Sequence, residues 1–387
     1  MVGKKGVKVG KKHDVQITER KEQTLADRIK ALEDEISTTK YNKRTQHAVG
    51  LLKAKLAMLK ETETRRASVG KAKGDDRFSV RKTGDGSVVL LGYPSVGKST
   101  LLNKLTNAKS DIAAYNFTTV SAVPGILQYK QAKIQIIDVP GIVSGAAAGT
   151  GRGKEVLAML RNADLILILV DALAPKHYES ILSEIYDTGI RVNQNKPDVR
   201  IAKKERGGIF IASTVKVSIN KETIAGIARE LKLANADILI RDTINEDQLI
   251  DVIEGNKVYT PAITIITKMD LVDSETLRSI CQEVKPDLAI SAEVGTNIEQ
   301  LKDLIFTRMR FIRIFLKEVN KRPDMEEPLI MQQGCTIRAV CLKLHKDFVS
   351  KFKFVRIWGP SAKFEGQVLR NLDKQLQDKD ILELHIK

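Results

Sequence analysis

Short apolar runs alternate with helical patterns between about residue 85 and residue 310. The runs have the length of buried strands, and apolar residues recur at helical spacing between them. The runs are Val88–Leu91, Ile134–Ile137, Leu165–Val170, Ala262–Ile266 and Leu288–Ile290. This alternation predicts an α/β fold, in which a mostly parallel sheet is covered by helices on both faces and a ligand lies at the carboxyl ends of the strands.

The N-terminal region has a helical period without strands. Apolar residues recur at this spacing in two groups, on either side of a polar break: Leu25, Ile29, Leu32 and Ile36, then Leu52, Leu56 and Leu59. Thr24 and Asp27 have the spacing of a helix start signal. We therefore predict a hairpin of two packed helices. Such a hairpin could grip RNA or a partner, or dock onto the next domain.

Two further modules are predicted from the patterns that remain. The stretch between Val170 and Ala262 is too long for one crossover helix and has strand and helix patterns of its own, so we predict an inserted α+β subdomain. Beyond residue 310, alternating patterns predict a small separate α+β module. We expect Phe354 and Trp358 to fill the core of this module, although both could stack on RNA bases.

These patterns divide the 387 residues into five segments. A basic tail and helical region occupies residues 1–84, and the α/β domain takes 85–176 and 258–310. The insert takes 177–257, and the C-terminal module takes 311–387. A chain of this length is expected to form several domains because a single core does not grow beyond about 250–300 residues.

The net charge of the chain indicates a class of binding partner. Lysine and arginine number 64 against 48 aspartates and glutamates, for a net charge of +16, and cations concentrate in residues 4–12 and 65–82. Such a balance favours polyanions such as RNA, although solubility alone would also account for it. The apolar runs are too short to span a membrane and the N-terminus lacks the apolar core of a secretion signal, so we expect a cytoplasmic protein without membrane segments.

The segment after the first apolar run has the pattern of a phosphate-binding loop. Two glycines allow successive N–H groups to face one anion, the following helix adds its N-terminal partial charge, and Lys98 adds a full charge. The hydroxyl of Ser99 can then bind Mg²⁺. The residues of this candidate nucleotide site, between Gly92 and Leu101, are Tyr93, Pro94, Ser95, Val96, Gly97, Lys98, Ser99 and Thr100.

Three later motifs also follow apolar runs. Asp138 can hold Mg²⁺, and the N–H of Gly141 in the same motif can reach a γ-phosphate. Asp270, in the motif that begins with Thr267 and Lys268, can accept two hydrogen bonds from the N1–H and N2–H₂ donors of guanine, which adenine lacks. The stem of Lys268 can lie along the base. The motif Ser291, Ala292 and Glu293 offers a backbone N–H to the guanine O6.

With these motifs, nearly the whole chain resembles the developmentally regulated GTP-binding protein (DRG) family, in the Obg superfamily of translation-factor-related P-loop GTPases. The resemblance is carried by residues 92–102, 115–119 and 138–142, by the insert before Thr267, and by residues 335–337 and 352–359. The C-terminal module is similar to a TGS domain, a ubiquitin-like β-grasp fold. The insert resembles the second domain of a small-subunit ribosomal protein, and the N-terminal hairpin resembles the family's helix-turn-helix region.

The resemblance also implies roles for residues. Thr119 is the implied switch threonine that binds Mg²⁺ and senses the γ-phosphate, whereas residue type alone leaves Thr118 an equal candidate. The second switch would run from Gly141 to Gly153. Lys98, Thr119 and Gly141 are thus the candidate catalytic residues, and Ser99, Thr119 and Asp138 are the candidate Mg²⁺ ligands.

Three positions depart from the patterns of related GTPases. Ile142 replaces the glutamine that orients the attacking water in Ras-like enzymes, which predicts slow hydrolysis. Potassium is a candidate activator, but Ser95 replaces the asparagine that helps to hold it in some relatives. Thr267 replaces an asparagine that braces the phosphate loop, and this change is expected to weaken nucleotide affinity.

Two functions fit the sequence. The first is a GTPase that binds GTP and GDP with Mg²⁺ and acts as a switch on ribosomes or ribosomal RNA, with a regulatory protein as a further candidate partner. The second is an RNA- or ribosome-binding adaptor in which the nucleotide is mainly structural.

Overall fold

The computed structural model describes residues 24–68, 84–106, 123–139 and 159–386, which belong to two compact units. One unit combines residues 24–68 with residues 199–253. The other contains the remaining described residues. No helix in these described ranges has both the length and the apolar character that crossing a bilayer requires.

These described ranges contain ten α-helices and sixteen strands. The helices are α1 Leu25–Thr38, α2 Gln46–Ser68, α3 Lys98–Leu105, α4 His177–Asp187, α5 Lys221–Glu230, α6 Glu246–Glu254, α7 Ser274–Val284, α8 Ile298–Arg308, α9 Ile337–Leu344 and α10 Phe348–Lys351. The strands are β1 Gly86–Leu91, β2 Val123–Tyr129, β3 Ala132–Asp138, β4 Leu165–Asp171, β5 Ile190–Val192, β6 Val199–Lys203, β7 Ile209–Ser213, β8 Ala236–Ile240, β9 Val258–Thr260, β10 Ala262–Thr267, β11 Leu288–Ala289, β12 Phe311–Leu316, β13 Leu329–Gln332, β14 Phe352–Trp358, β15 Gln367–Leu369 and β16 Asp380–Ile386.

The α/β domain contains a six-stranded sheet in the order β11-β10-β4-β1-β3-β2. Five of its strands run parallel, and β2 pairs antiparallel with β3. Strands β1, β4 and β10 are buried almost throughout because both sheet faces are covered. Leu101 of α3 and Leu301 of α8 belong to the core on one face, while Ile181 of α4 and Ile280 of α7 belong to the core on the other. The predicted α/β fold is confirmed.

Strand β2 was not predicted. Its sequence begins Val123-Pro124-Gly125, a combination typical of a turn rather than of a strand. The strand lies at the edge of the sheet, where proline costs less because the outer backbone N–H groups have no sheet partner to lose. Pro124 is paired in register with Ile137 of β3.

The other unit joins the N-terminal hairpin to a three-stranded sheet in the order β6-β8-β7. Thr24 caps α1, and its hydroxyl and the carboxylate of Asp27 exchange hydrogen bonds with each other's backbone N–H, as the start signal predicts. Helix α2 packs on α5, and a Cβ at Gly226 of α5 would lie 2.9 Å from the Leu51 side chain. The predicted pair of packed helices is confirmed.

The compact part of the insert begins later than the predicted residue 177. Helix α4 packs with the α/β domain, since Ile181 and Ile185 are buried in its core. Strands β5 and β9 then pair with each other in the same unit, and the chain enters the other unit at Val199. The five-segment division stays a prediction, with the insert taken below as residues 199–253.

The C-terminal module has a five-stranded sheet in the order β13-β12-β16-β14-β15, with α9 packed on one face. Val355 and Ile357 of β14 are fully buried in that core. Because side chains alternate along a strand, Phe354 and Trp358 lie on the opposite face. There Phe354 stacks on His385 with ring centroids 4.1 Å apart, and Lys317 Nζ lies 5.0 Å from the centroid of the Trp358 ring. The expectation that these two aromatic residues fill the core is wrong.

Candidate nucleotide-binding site

The predicted motifs meet at one edge of the six-stranded sheet. Strands β1, β3, β4, β10 and β11 run parallel, so their carboxyl ends share that edge. The phosphate loop follows β1, and Asp138 ends β3. Thr267 ends β10, and Ser291 follows β11 after one residue. Motifs that are far apart in the sequence are therefore neighbours in the fold, as in other open α/β sheets.

Two glycines of the phosphate loop have separate geometric roles. A Cβ at Gly92 would lie 2.8 Å from the backbone oxygen of Leu169, so only glycine allows the loop to pass this close to β4. Gly97 has φ of 95°, in the left-handed region, although a Cβ there would meet no atom within 4 Å. The loop thus turns directly into α3, which begins at Lys98.

Lys98 lies across the loop that precedes it. Its Nζ donates hydrogen bonds to the carbonyl oxygens of Gly92 at 2.9 Å and Tyr93 at 3.0 Å. Burial lowers the pKa of Lys98 below its usual value, and the nearby negative charge of Asp138 acts in the opposite direction. A partly desolvated ammonium interacts more strongly with a phosphate than one in water does.

Ser99 and Asp138 form an oxygen-rich pair beside the loop. Ser99 Oγ donates to Asp138 Oδ2 at 2.9 Å, and Asp138 Oδ1 is buried without a hydrogen-bond partner among the described residues. A buried carboxylate oxygen that lacks a partner is costly, and a cation would relieve this cost. The hydroxyl and carboxylate fit Mg²⁺, which prefers oxygen ligands.

The small number of protein ligands is also compatible with Mg²⁺. Within the described ranges, no cluster of three or more His, Cys, Asp or Glu side chains could hold a metal ion. Mg²⁺ in nucleotide sites is held by one or two protein side chains together with phosphate oxygens and water, so it does not need such a cluster. Ser99 and Asp138 would supply the protein ligands in this part of the chain.

Thr267 connects the end of β10 to the phosphate loop. Its Oγ1 lies 2.9 Å from the backbone oxygen of Val96 and 3.3 Å from that of Val170, and the residue is buried. A hydroxyl has one proton to donate, so the shorter contact to Val96 is the better hydrogen bond. Thr267 therefore braces the loop through its hydroxyl, although it lacks the side-chain amide of the asparagine that related GTPases have at this position.

Asp171, at the end of β4, holds the side chain of Lys268. Asp171 Oδ2 lies 2.6 Å from Lys268 Nζ, and its Oδ1 accepts a hydrogen bond from the N–H of Leu173 at 2.9 Å. Lys268 has φ of 57°, which turns the chain out of β10 into the short helix Met269–Leu271. The ion pair fixes the head of the lysine, whose stem is the part that would lie along a base.

Asp270 and the Ser291 motif are joined through the backbone. Met269 N donates to the carbonyl oxygen of Ile290 at 3.2 Å, which links the segment of Asp270 to the segment that follows β11. Asp270 is exposed, Ser291 and Ala292 are buried, and Glu293 is exposed. Asn297 Nδ2 donates to the carbonyl oxygen of Ala289 at 2.8 Å and braces the second segment. The two predicted guanine-contacting segments thus lie side by side.

Tyr93 contacts α4 as well as belonging to the phosphate loop. Its ring stacks on His177, with centroids 3.9 Å apart and planes inclined by 14°. His177 is the first residue of α4. The stack supports the start of the loop from outside and leaves the N–H groups of residues 95–99 as the candidate phosphate donors.

Several predicted residues lie outside the described ranges. They are Thr118, Thr119, Gly141 and Ile142. Their predicted roles in binding Mg²⁺ and γ-phosphate stay predictions.

Sequence reasoning missed three residues of this region: Asp171, His177 and Asn297. Asp171 could have been found as an acidic residue that directly follows a buried strand, in the same way as Asp138. No sequence signal marks His177 or Asn297, because their roles depend on contacts made in the folded chain.

Comparison with known families covers most of the chain. Residues 87–204 match the family described as 50S ribosome-binding GTPase, residues 206–311 match the C-terminal region of that domain, and residues 312–386 match the TGS domain. The TGS-like module predicted from the sequence is therefore confirmed.

Individual relatives align along almost their full length. A GTP-binding protein of Methanocaldococcus jannaschii is 48% identical, covering 94% of this chain and 93% of its own. Developmentally-regulated G-protein 3 of Arabidopsis thaliana and developmentally-regulated GTP-binding protein 1 of Xenopus laevis are each 40% identical, covering 93% of this chain and 98% of theirs. The solved YchF GTPase of Schizosaccharomyces pombe is 13% identical with a TM-score of 0.43, covering 79% of this chain and 99% of that one.

The identities and coverage agree with the motifs at the sheet edge. The phosphate loop and the strand-end aspartates Asp138 and Asp171 lie within the residues that match the GTPase family, and the TGS match follows in the chain. It is a GTP-binding protein and belongs to the developmentally regulated GTP-binding protein family of P-loop GTPases.

Proposed function

We propose that the protein hydrolyses GTP slowly to GDP and phosphate and acts in the cytoplasm as a nucleotide-dependent switch on ribosomes or ribosomal RNA. The observation that carries the enzymatic part is the pair of Ser99 Oγ and Asp138 Oδ2, 2.9 Å apart beside an Asp138 oxygen without a partner. This arrangement suits a cation next to a triphosphate and has little use otherwise.

The phosphate loop supplies binding and charge stabilisation. Lys98 moves its hydrogen bonds from the loop carbonyls to the β- and γ-phosphates, and the loop N–H groups from residues 95 to 99 contact the same oxygens. Ser99, Asp138 and Thr119 hold Mg²⁺, which when bound neutralises charge that develops on the phosphates. Potassium is an additional candidate cation, although Ser95 stands where some relatives hold it with an asparagine.

Hydrolysis proceeds by attack of water on the γ-phosphate. The N–H of Gly141 stabilises the transferred group, and the position of the water-orienting glutamine is occupied by Ile142. An isoleucine side chain can neither accept nor donate a hydrogen bond. The intrinsic rate is therefore slow, and a partner such as the ribosome or a regulatory protein supplies part of the activation.

Guanine is selected by one carboxylate and by backbone groups. Asp270 accepts from N1–H and N2–H₂ of the base, and the segment Ser291 to Glu293 donates an N–H to O6. Lys268 lies along the ring, with its head held by Asp171 at 2.6 Å. Adenine presents the opposite polarity at its N1 and N6 and leaves these groups unpaired.

Two observations support the ribosome as partner. The net charge of +16 favours a large polyanion. The family matched by residues 87–204 is described as 50S ribosome-binding.

Phosphate release tests the enzymatic part directly. A malachite-green assay with GTP, with and without ribosomes, is run on the wild type, on Lys98→Ala and on Lys104→Ala. Lys104 is an exposed lysine on the same helix, outside the phosphate loop, and serves as the matched control. We expect turnover to fall to background in Lys98→Ala alone. Equal turnover in all three proteins would refute the assignment.

An adaptor with a structural nucleotide is the second candidate function, and Ile142 is the feature that favours it. A switch and an adaptor differ in how the ribosome affinity depends on the nucleotide. Co-sedimentation with ribosomes is compared for protein loaded with GDP and with a non-hydrolysable GTP analogue. Different affinities support the switch, and equal affinities support the adaptor.

A further inference from the structure

The three-stranded sheet of the insert has one face outside the core of its unit. Val199, Ile201, Ile209, Ile211, Ile238 and Ile240 pack in that core. Because side chains alternate along each strand, the residues between them lie on the other face. We call this the open face; its residues are Arg200, Ala202, Phe210, Ala212, Asp237 and Leu239.

Among these residues, Phe210 exposes the largest apolar side chain, and 65% of its surface is accessible. The strand register places Asp237 directly beside it on β8, and Ala202 beyond Asp237 on β6. Ala212, two residues along β7, lies on the same face. The alanines have short side chains, so they leave another planar group access to the phenylalanine ring. A single exposed apolar residue is ordinary, but an exposed ring beside short side chains offers a stacking platform.

Two cations lie toward β6, which β8 separates from the strand of Phe210. Lys204 Nζ lies 2.6 Å from Asp237 Oδ2, which places an ammonium group beside the carboxylate that neighbours Phe210. Arg200 lies in the next row of the face, opposite Leu239. Standard strand spacing puts its Cα about 12 Å from that of Phe210, and the long arginine side chain can shorten this separation.

The loop from β6 to β7 adds further positive charge. Lys203 ends β6, and the loop continues with Lys204, Glu205 and Arg206, all exposed like Lys203, followed by two glycines. Gly207 has φ of 109° and Gly208 has φ of 74°, and a Cβ at either would meet nothing within 4 Å. The open face itself carries one cation and one carboxylate, Arg200 and Asp237. The end of β6 and the adjoining loop add three cations against one carboxylate, so the face and the loop together have an excess of positive charge.

We propose that the open face binds single-stranded RNA, with a base stacked on Phe210 and phosphates contacted by Arg200 and Lys204. An exposed ring with cations farther along the same sheet matches the chemistry of a nucleotide strand, which alternates flat bases with anionic phosphates. A protein partner would be expected to cover a wider apolar area than one ring, two alanines and one leucine provide. The inference rests on the proposed function for its RNA partner and adds the surface that holds it.

The open face is expected to bind single-stranded RNA with little dependence on its base sequence. Every base has a face that can stack on a phenyl ring, whereas readout of base edges needs several side chains directed at one base. Asp237 is the one carboxylate among the open-face residues, and it is already paired with Lys204. We therefore expect an oligouridine and a mixed-sequence strand of equal length to bind with similar affinity.

The test uses fluorescence anisotropy with labelled oligouridine of about 12 nucleotides and the full chain. Phe210→Ala is expected to weaken binding by about 5-fold to 100-fold, the cost of losing a stacked base. Phe210→Trp retains a ring and should bind as the wild type does. Phe210→Leu retains apolar area without a ring and should behave like Phe210→Ala. None of these changes alters the charge, so binding by basic segments elsewhere is the same in each protein.

Two controls separate this surface from general effects. Phe364 in the C-terminal module is also 65% exposed, and Phe364→Ala should leave the affinity unchanged. Arg200→Gln should reduce the slope of log affinity against log salt by about 0.7, the value for one phosphate contact with a single strand. Circular dichroism melting checks that each variant keeps its fold.

The outcome is independent of the GTPase activity. If Phe210→Ala and Phe210→Leu bind oligouridine as tightly as the wild type does, the proposed RNA-binding surface is wrong. This conclusion holds even if the open face is found to bind a protein. Such a result, with normal GTP turnover, leaves the proposed function standing. Equal turnover of the wild type and Lys98→Ala, with ring-dependent RNA binding retained, would contradict the function and leave the surface.

Discussion

Thr267 Oγ1 lies 2.9 Å from the backbone oxygen of Val96, so the end of strand β10 is hydrogen-bonded to the phosphate loop. These residues are 171 positions apart in the sequence. Thr267 precedes the segment that would select the base, and Val96 belongs to the loop that would hold the phosphates. The hydroxyl of Thr267 therefore links the base-recognition segment to the phosphate-binding loop.

Removal of this hydroxyl should weaken binding of GTP and GDP alike. Thr267→Val keeps the shape of the side chain but leaves the Val96 oxygen without its donor in a buried site. We expect affinities weaker by about 5-fold to 30-fold, corresponding to about 1–2 kcal/mol. Thr267→Ser keeps the hydroxyl and is the matched control. Isothermal titration calorimetry gives both affinities, and equal values for valine and serine would contradict the role of the brace.

The ion pair between Asp171 and Lys268 should contribute to nucleotide affinity through the position of the lysine. Asp171→Asn removes the charge that holds Nζ, so we expect GTP to bind about threefold to tenfold more weakly. If Asp171 acts through Lys268, the double variant with Lys268→Ala will lose no more than Lys268→Ala alone. Full additivity of the two losses in calorimetry would show that the residues act independently.

Glu383 should make the C-terminal module sensitive to acid. Burial opposes its ionisation, but hydrogen bonds from Lys317 and His385 outweigh burial and hold the pKa of Glu383 below its usual value of 4.5. A carboxyl whose pKa is lower in the folded state stabilises the fold above its unfolded pKa, and this contribution is lost as pH falls through the folded value. The wild type should therefore lose stability more steeply below about pH 4.5 than Glu383→Gln does.

The measurement can be confined to this module. Trp358 is the only tryptophan in the chain and lies on the same sheet face as Glu383, so its fluorescence reports urea unfolding of the module. Glu365→Gln, at an exposed carboxylate of the same module, is the control. If the urea midpoints of Glu383→Gln and of the wild type decrease equally as the pH is lowered, Glu383 does not cause the acid sensitivity of the module.

The elements of the sheet that are buried on both faces could be predicted from the sequence. Leu165 to Val170 is an unbroken apolar run because β4 has helices on each side, and the phosphate loop has a pattern of its own. Strand β2 was missed because Pro124 and Gly125 are typical of turns, and only its place at the sheet edge makes them acceptable.

Contacts between distant segments could not be predicted in the same way. The sequence suggests that Thr267 weakens nucleotide affinity, because it shows that the asparagine amide is missing. It does not show that the Thr267 hydroxyl lies within hydrogen-bond distance of the Val96 oxygen. Likewise, composition favours Phe354 and Trp358 as core residues, whereas the face on which they lie depends on the register of β14 with β16. Residue type and local period determine elements; side-chain partners depend on how the elements pack.

The most direct test of the account is the binding of guanine nucleotides with Mg²⁺ and its dependence on Asp270. Calorimetric titration of the purified protein with GTP, ATP and xanthosine triphosphate is compared with that of Asp270→Asn. The account predicts Mg²⁺-dependent binding of GTP without binding of ATP, and a change of preference from GTP to xanthosine triphosphate in the variant, because the asparagine amide can donate to the xanthine O2. Absence of heat with GTP and Mg²⁺, or equal binding of ATP and GTP by the wild type, would contradict it.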